Sequence, residues 1–158
     1  MLKIRKANAT DAVALHDLYH NHLTAYPPKE RQEMAVWRER IARFEDDPFY
    51  HLLVGETDGK VVSSVTLIIV ENLTHNLRPY SVIENVVTHA DYRGKHFASA
   101  LMSRASEIAA EYGCYKIMLL TGSKKDSTLK FYEKCGFNSH EKNAFIKRLG
   151  IKEMQIAD

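Results

Sequence analysis

The segment from Tyr80 to Met102 (YSVIENVVTHADYRGKHFASALM) constrains this chain most, because it combines three local patterns. Its first part, Tyr80–Thr88, has the apolar, β-branched composition of a strand. A short basic loop (RGK, 93–95) follows, and from Phe97 onward the apolar residues recur at helical spacing. One acidic residue, Glu84, interrupts the apolar strand. A strand, loop and helix of this kind can hold a phosphate at one end and carry out proton chemistry at the other.

Length and composition fit one soluble globular domain, and we expect a single domain over residues 1–158. The 158 residues are 45% hydrophobic and 27% charged, with a formal net charge of +2, so the charge does not favour nucleic acid as a partner. The two cysteines cannot form a disulfide framework, which is typical of reduced thiols in the cytoplasm. The N-terminal residues lack the apolar core of a signal peptide, and the longest apolar run, Val65–Val70, is too short to span a membrane. We therefore expect a cytoplasmic protein with no membrane contact.

Hydrophobic periodicity predicts an α/β fold, in which helices flank a central mixed sheet with an antiparallel front half. The Asp58-Gly59 pair between two apolar runs predicts a hairpin. The strand at Tyr80, the long helix and the next strand predict a right-handed βαβ unit. The predicted strands are Leu2–Arg5, Tyr50–Glu56, Val61–Val70, Tyr80–Thr88, Tyr115–Leu120 and Phe145–Leu149, with a possible extra strand near Phe137. The predicted helices run from Thr10 to about Leu23, from about Glu30 to Phe44, from the RGK loop to Tyr112, and from Asp126 to Lys134.

The loop RGKHFA (93–98) is a candidate phosphate-binding site. A helix N-terminus exposes unpaired N–H groups and a partial positive charge, and glycine lets the backbone approach an anion closely. Arg93, Lys95 and His96 add possible donors. The phosphate loops of Walker ATPases and of Rossmann enzymes do not match, because neither spacing is present. An ordinary glycine-containing loop with solvated charges is the alternative.

Glu84 is a candidate general base. Strand alternation places it on the same face as Val82 and Val86, unless a bulge shifts the register. An apolar setting favours the neutral form of a carboxylate, so such a group can accept a proton near neutral pH. The alternative is a structural carboxylate paired with a neighbouring strand or a basic side chain. Asn85, on the opposite face, is interpreted as structural.

The run FYEKCGF (131–137) places Tyr132 on a short helix after the second strand of the βαβ unit. Its hydroxyl could donate a proton to a leaving thiolate, since ordinary pKa values of ~10 for a phenol and ~8.5 for a thiol make that transfer feasible in a shielded site. A packing aromatic is the alternative. Cys135 has no assignable histidine partner, so we interpret it as structural. His16 and His20 have helical i,i+4 spacing but no third ligand, which favours a solvated face over a metal site.

Together these motifs resemble the GNAT superfamily of acyl-CoA-dependent N-acyltransferases, across essentially the whole chain and most closely from Tyr80 to Phe137. Arg93 and Ala98 match the family's acetyl-CoA signature, while His96 stands where the family usually has glycine. FYEKCGF matches the late helix-and-turn motif, with Lys125 where an asparagine often begins it. The runs GCYKI (113–117), ENVV (84–87) and FYEKCGF also look like the glucosamine-6-phosphate N-acetyltransferase branch.

The resemblance implies a mechanism and a cosubstrate, acetyl-CoA, with no metal. Pantetheine would lie along the strand like an added strand, and the pyrophosphate would lie on the loop amides. Glu84 would deprotonate the amine, directly or through water, and Tyr132 would protonate the CoA thiolate. The implied cofactor-binding residues are Val86, Val87, Thr88, Arg93, Gly94, Lys95, His96, Phe97, Ala98 and Ser99.

We therefore predict an N-acetyltransferase that acts on a small primary amine, with a homodimer possible because dimers are common in the resembled family. Peptide or protein amines are an alternative acceptor class. A non-catalytic module that binds or senses acyl-CoA is an alternative of another kind, which the irregular His96 permits and the presence of Glu84 and Tyr132 opposes. A nucleic-acid-binding protein is disfavoured by the charge.

Overall fold

The computed structural model describes residues 1–25 and 27–149. Its strands are β1 (Lys3–Lys6), β2 (Tyr50–Thr57), β3 (Lys60–Val70), β4 (Tyr80–Thr88) and β5 (Ile117–Leu119), and its α-helices are α1 (Ala12–Asp17), α2 (Met34–Asp46), α3 (Phe97–Glu111) and α4 (Asp126–Lys134). A π-helical turn, Leu18–Leu23, continues α1. The chain forms two compact units, residues 1–121 and residues 122–158. A single domain over 1–158 stays a prediction.

One sheet, in the order β1-β2-β3-β4-β5, is formed by the described residues of the first unit. The first four strands pair antiparallel. β5 pairs parallel with β4, Ser81 lying opposite Ile117, and α3 connects these two strands, as a parallel pair requires. The predicted fold class, a mixed sheet with an antiparallel front half and flanking helices, is confirmed.

The β2–β3 hairpin follows from its two turn residues. Asp58 and Gly59 have φ values of 51° and 72°, as both central residues of a type I′ turn require. The turn brings Thr57 opposite Lys60. It therefore sets which residues of β2 and β3 share a face of the sheet.

Helices cover both faces of the sheet. On one face, α1 and α2 pack against β2 in a cluster of buried side chains: Ala7, Ala12, Leu15, Ile41, Leu52 and Val54. On the other face, α3 buries Leu101, Met102, Ala105, Ile108 and Ala109. A side chain at Gly55 would meet Leu101 at 3.3 Å, so glycine there allows α3 to lie close to the sheet.

Several predicted elements have different bounds. The helix expected from Glu30 begins at Met34, and the strand expected at Tyr115–Leu120 is shortened to β5. The strand expected at Phe145–Leu149 is wrong, as is the possible strand near Phe137, because neither segment has regular structure. Phe145 is 91% exposed and Leu149 84%, so neither side chain gains the burial that stabilises a strand. Among the described residues, no helix has the length and apolar character needed to cross a bilayer.

Candidate functional site

Strand β4 contains a bulge next to Glu84. Thr66 of β3 lies opposite Glu84, but Ser64, two residues earlier, lies opposite Val87. The extra residue is accommodated at Asn85, whose φ is +54°, a left-handed conformation that asparagine tolerates better than most residues. The bulge shifts the alternation, so Glu84 shares its face with Val87 and not with Val86.

Glu84 lies on the sheet face covered by α1 and α2, and its side chain is exposed. The apolar environment expected around it is therefore wrong, because this side chain is open to solvent. Burial raises the pKa of the nearby Tyr50 phenol, and the negative charge of Glu84 adds to this effect, while a bond to Thr66 and the charge of Arg40 oppose it. Glu84 thus lies within electrostatic reach of the Tyr50 hydroxyl.

A cavity of about 540 Å³ opens on this same face between α1, α2 and the sheet. Its walls are mostly aromatic and aliphatic, and its polar groups include Thr66 and Asn85 on β3 and β4. Tyr19 Oη lies 3.4 Å from Ser64 Oγ, and burial raises the pKa of the Tyr19 phenol. The full lining is Leu15, Tyr19, Gln32, Val36, Trp37, Arg40, Ile41, Phe44, Tyr50, Leu52, Thr66 and Asn85.

The second half of β4 has an open backbone edge. Pairing with β5 ends at Ile83, which lies opposite Leu119. Beyond that pair, the edge of β4 that faces away from β3 has no partner strand among the described residues. Unpaired N–H and C=O groups at such an edge can bind an extended ligand as an added strand. The predicted cofactor residues Val86, Val87 and Thr88 lie on this segment, and Thr88 Oγ1 is 2.8 Å from Ser63 Oγ.

The loop between β4 and α3 is shaped by two left-handed residues. Gly94 has a φ of +75° and His96 a φ of +62°. Histidine is one of the few side chains enriched in that conformation, so His96 adopts the backbone shape that glycine would adopt here. A side chain at Gly94 would meet no atom within 4 Å, so the loop leaves room for a ligand at its exposed surface.

Helix α3 begins at Phe97 and is 15 residues long, so the N–H groups of Phe97, Ala98 and Ser99 have no intrahelical acceptor. They point toward the same loop and carry the positive end of the helix dipole. Lys95 Nζ lies 4.8 Å from the centre of the Tyr92 ring. Arg93 donates from Nε to the Thr88 carbonyl at 3.2 Å and from a terminal nitrogen to the His22 carbonyl at 3.3 Å. Glycine, free amides and local cations fit a pyrophosphate group.

Tyr132 lies in the second unit, on α4. Its half-buried ring contacts those of Phe131 and Phe137, with centroids at 5.1 and 6.4 Å. The helix ends at Lys134, and Gly136 follows with a φ of +93°. Burial raises the pKa of the Cys135 thiol, which disfavours the thiolate that a nucleophile requires. The joint action of Tyr132 and Glu84 at one centre stays a prediction.

The histidines interpreted from the sequence as a solvated face have specific contacts. The rings of His16 and His20 stack at 5.5 Å, and Arg31 lies 2.6 Å from His20 Nε2. The sequence did not reveal another group, Asp17, His22 and His89, whose ligand atoms lie within 4.8 Å of one another. The Nδ1 atoms of the last two residues face the backbone N–H groups of Ala90 and Asp91. In that tautomer each Nε2 carries a hydrogen, which opposes metal binding.

Sequence reasoning also did not find the cavity. In the sequence, Trp37, Ile41 and Phe44 recur at helical spacing, a pattern that is typical of a helix face packed on the core, but these residues also line the open cavity. Asn85 was interpreted as structural and is both the bulge residue and a cavity residue. The available signal was the polar pair Glu84-Asn85 within an apolar strand.

Comparisons with known proteins show the family and the fold of this chain. The sequence profile of the Acetyltransferase (GNAT) family matches residues 15–137. A glucosamine 6-phosphate N-acetyltransferase of Trypanosoma brucei brucei is 36% identical over 123 residues, which are 77% of this chain and 79% of that protein. A solved structure from Agrobacterium tumefaciens str. C58, described as an acetyltransferase, has a TM-score of 0.82 and 35% identity, covering 92% of this chain and 99% of that one. The crystal structure of glucosamine-6-phosphate N-acetyltransferase from Arabidopsis thaliana has a TM-score of 0.78 at 21% identity, covering 94% and 98%, which shows the shared fold.

Proposed function

The chain belongs to the acetyltransferase (GNAT) family, and we propose that it transfers the acetyl group of acetyl-CoA to the primary amine of a small molecule. The observation that carries this proposal is the bulge in β4. Beside it, Glu84 and a ligand-sized cavity lie on one face of the sheet, while the open edge of the same strand leads to the loop at α3. Acceptor and donor can therefore approach the strand from different directions.

Acetyl-CoA supplies the activated acetyl thioester. We assign its pantetheine arm to the open edge of β4 at Val86, Val87 and Thr88, where it would bind as an added strand. We assign its pyrophosphate to the loop and the first turn of α3. Gly94 and His96 shape that loop, and the cofactor-binding set is completed by Arg93, Lys95, Phe97, Ala98 and Ser99.

Two side chains move protons in the proposed reaction. An acceptor amine with a lysine-like pKa of ~10.4 is almost fully protonated at neutral pH, so it must lose a proton before it can attack. Glu84 accepts that proton, directly or through a water molecule. The neutral amine attacks the thioester carbonyl, the C–N bond forms as the C–S bond breaks, and the nitrogen releases its second proton to solvent, from which the Tyr132 phenol is restored after it acts. Tyr132 donates its phenolic proton to the departing thiolate.

A second acceptor candidate is glucosamine 6-phosphate, the substrate in the name of the T. brucei relative. The identity to that relative favours it. Arg40 and Gln32 are polar cavity residues that could contact its phosphate and hydroxyl groups. A peptide amine and a non-catalytic acyl-CoA sensor are the remaining alternatives.

Thiol release from acetyl-CoA tests these functions. We would assay the purified chain with glucosamine 6-phosphate, small aliphatic and aromatic primary amines, and peptides with a free N-terminus or lysine. The proposal expects amine-dependent release and an N-acetylated small molecule by mass spectrometry. Binding of acetyl-CoA with no acceptor turned over would favour the sensor, and acetylation of peptides alone would favour a peptide acetyltransferase.

A further inference from the structure

The cavity beside Glu84 has a chemical character that narrows the acceptor. We propose that the acceptor is a primary amine attached to an apolar, preferably aromatic, body, and that this body fills the cavity between α2 and the sheet. This inference rests on the proposed acetyltransferase function. It differs from the sugar phosphate named for the relatives, because most of the residues that line the cavity are aromatic or aliphatic.

The wall formed by α2 is mostly apolar, with Arg40 as its charged residue. Trp37, Ile41 and Phe44 project from α2, and Val36 lies at the exposed edge. The ring of Phe44 stacks on that of Tyr50 at 3.8 Å. A sugar placed against these side chains would lose water from the hydroxyl groups that face them, which costs free energy for each group left unpaired. An aromatic or aliphatic body gains free energy from the same burial.

Two polar side chains of the cavity lie at its sheet side, next to the proposed reaction centre. Thr66 and Asn85 line the cavity, and Glu84 lies opposite Thr66. This polarity orients a ligand with its amine toward β4 and its apolar part toward α2. An amphiphilic amine matches both the polar side and the apolar side of the cavity, and such a combination is typical of specific ligand sites.

Charge also disfavours a phosphate in this cavity. Among the described residues that line it, Arg40 is the sole cation, and its side chain is exposed. Tight phosphate sites generally use charge-assisted bonds from arginine, often bidentate, or from a helix N-terminus. The volume of about 540 Å³ is within the usual range of ~300–1,000 Å³ for small-molecule sites, so a phenyl-sized body fits.

The test compares 2-phenylethylamine, ethylamine and glucosamine 6-phosphate as acceptors for the full chain. We expect kcat/KM for 2-phenylethylamine to exceed the other two by about tenfold or more, since apolar contacts in a pocket commonly give such ratios. An equal or higher kcat/KM for glucosamine 6-phosphate would overturn the inference while leaving the acetyltransferase intact.

A matched pair of variants tests whether the apolar part of the acceptor binds in the cavity. Val36 lines the cavity and is 43% exposed, whereas Val13 on α1 is 59% exposed and does not line it. Val36→Phe narrows the cavity, so it should lower kcat/KM for 2-phenylethylamine about tenfold and change ethylamine little, and Val13→Phe should change neither. Equal losses for both amines in Val36→Phe would contradict the placement.

Calorimetric binding measurements separate the proposed acetyltransferase function from the proposed apolar-amine site. If no amine is acetylated, the proposed function fails, and the inference is then decided by the affinity for 2-phenylethylamine. Binding that Val36→Phe weakens and Val13→Phe leaves unchanged supports an apolar-amine site. Absence of binding overturns it.

Discussion

Thr66 on β3 lies directly opposite Glu84 on β4, so both side chains are on the sheet face covered by α1 and α2. At the next residue, Asn85, the strand bulges. The bulge ends the regular alternation at the point where the pairing of β4 with β5 has also ended. At this point of the strand Glu84 is exposed on one face of the sheet, and the outer edge of Val86–Thr88 has no partner strand among the described residues.

Glu84→Gln should lower kcat by about 100-fold at neutral pH, because it removes the proposed base while keeping the size of the side chain. The loss should be greatest at low pH, where an unassisted amine is almost all protonated, and should shrink as pH approaches the amine pKa. The measurement is a pH–rate profile of kcat/KM, with the exposed Glu71→Gln as control. A profile of unchanged shape would exclude Glu84 as the base.

Tyr132→Phe should reduce kcat by about 100-fold and leave the Kd for acetyl-CoA nearly constant, because only the hydroxyl that protonates the thiolate is lost. The matched control is Tyr115→Phe, whose ring stacks on His75 at 3.8 Å and has no proposed catalytic part. Steady-state kinetics and calorimetry give the two quantities. If kcat stays at the level of the unmodified protein, Tyr132 is not the acid.

Asp11→Asn should destabilise the fold by about 2–3 kcal/mol, because it breaks a charged pair of which one side chain is buried. Asp11 accepts bonds from two Arg5 nitrogens at 2.7 and 2.8 Å and from the Asn8 amide at 2.9 Å. Burial alone raises the pKa of Asp11, but these bonds outweigh it and the pKa is lowered. Urea unfolding measures the free energy, with the exposed Asp46→Asn as control.

The pH dependence of that difference follows from the direction of the shift. A lowered folded pKa stabilises the protein above the ordinary carboxyl value of 3.8, and this contribution is lost as pH falls through the folded pKa. The gap in unfolding free energy between the unmodified protein and Asp11→Asn should therefore narrow below about pH 4. A gap that is constant from neutral to acid pH would show that the charge of Asp11 is not its source.

The sequence was sufficient to predict the five strands of the sheet, because local patterns and tertiary packing agree there. The Asp58-Gly59 turn, the apolar run of β4 and the stripe on α3 each predicted the element that forms. Phe145–Leu149 has the composition of a strand but remains exposed, since strand formation depends on a partner that composition does not specify.

The site was harder to predict because it includes a bulge, which interrupts the regular alternation of side chains between the two faces of the sheet. The bulge at Asn85 decides which side chains share the face of Glu84, and no pattern within one strand fixes where a bulge falls. The cavity likewise forms between separate elements, so the stripe of Trp37 and Ile41 could indicate a core face but not an open pocket.

His96 should be replaced more easily by glycine than by alanine. Its φ of +62° puts a Cβ in a left-handed backbone, which costs roughly 1–2 kcal/mol for most residues. His96→Ala keeps that Cβ and His96→Gly removes it, while both remove the imidazole. We therefore expect His96→Gly to be more stable than His96→Ala by about 1 kcal/mol in urea unfolding and to bind acetyl-CoA more tightly, because its loop is not strained. Equal stability of the two variants would show that the left-handed conformation at residue 96 carries no strain. Equal stability with tighter binding of the unmodified protein would assign the imidazole itself to the phosphate.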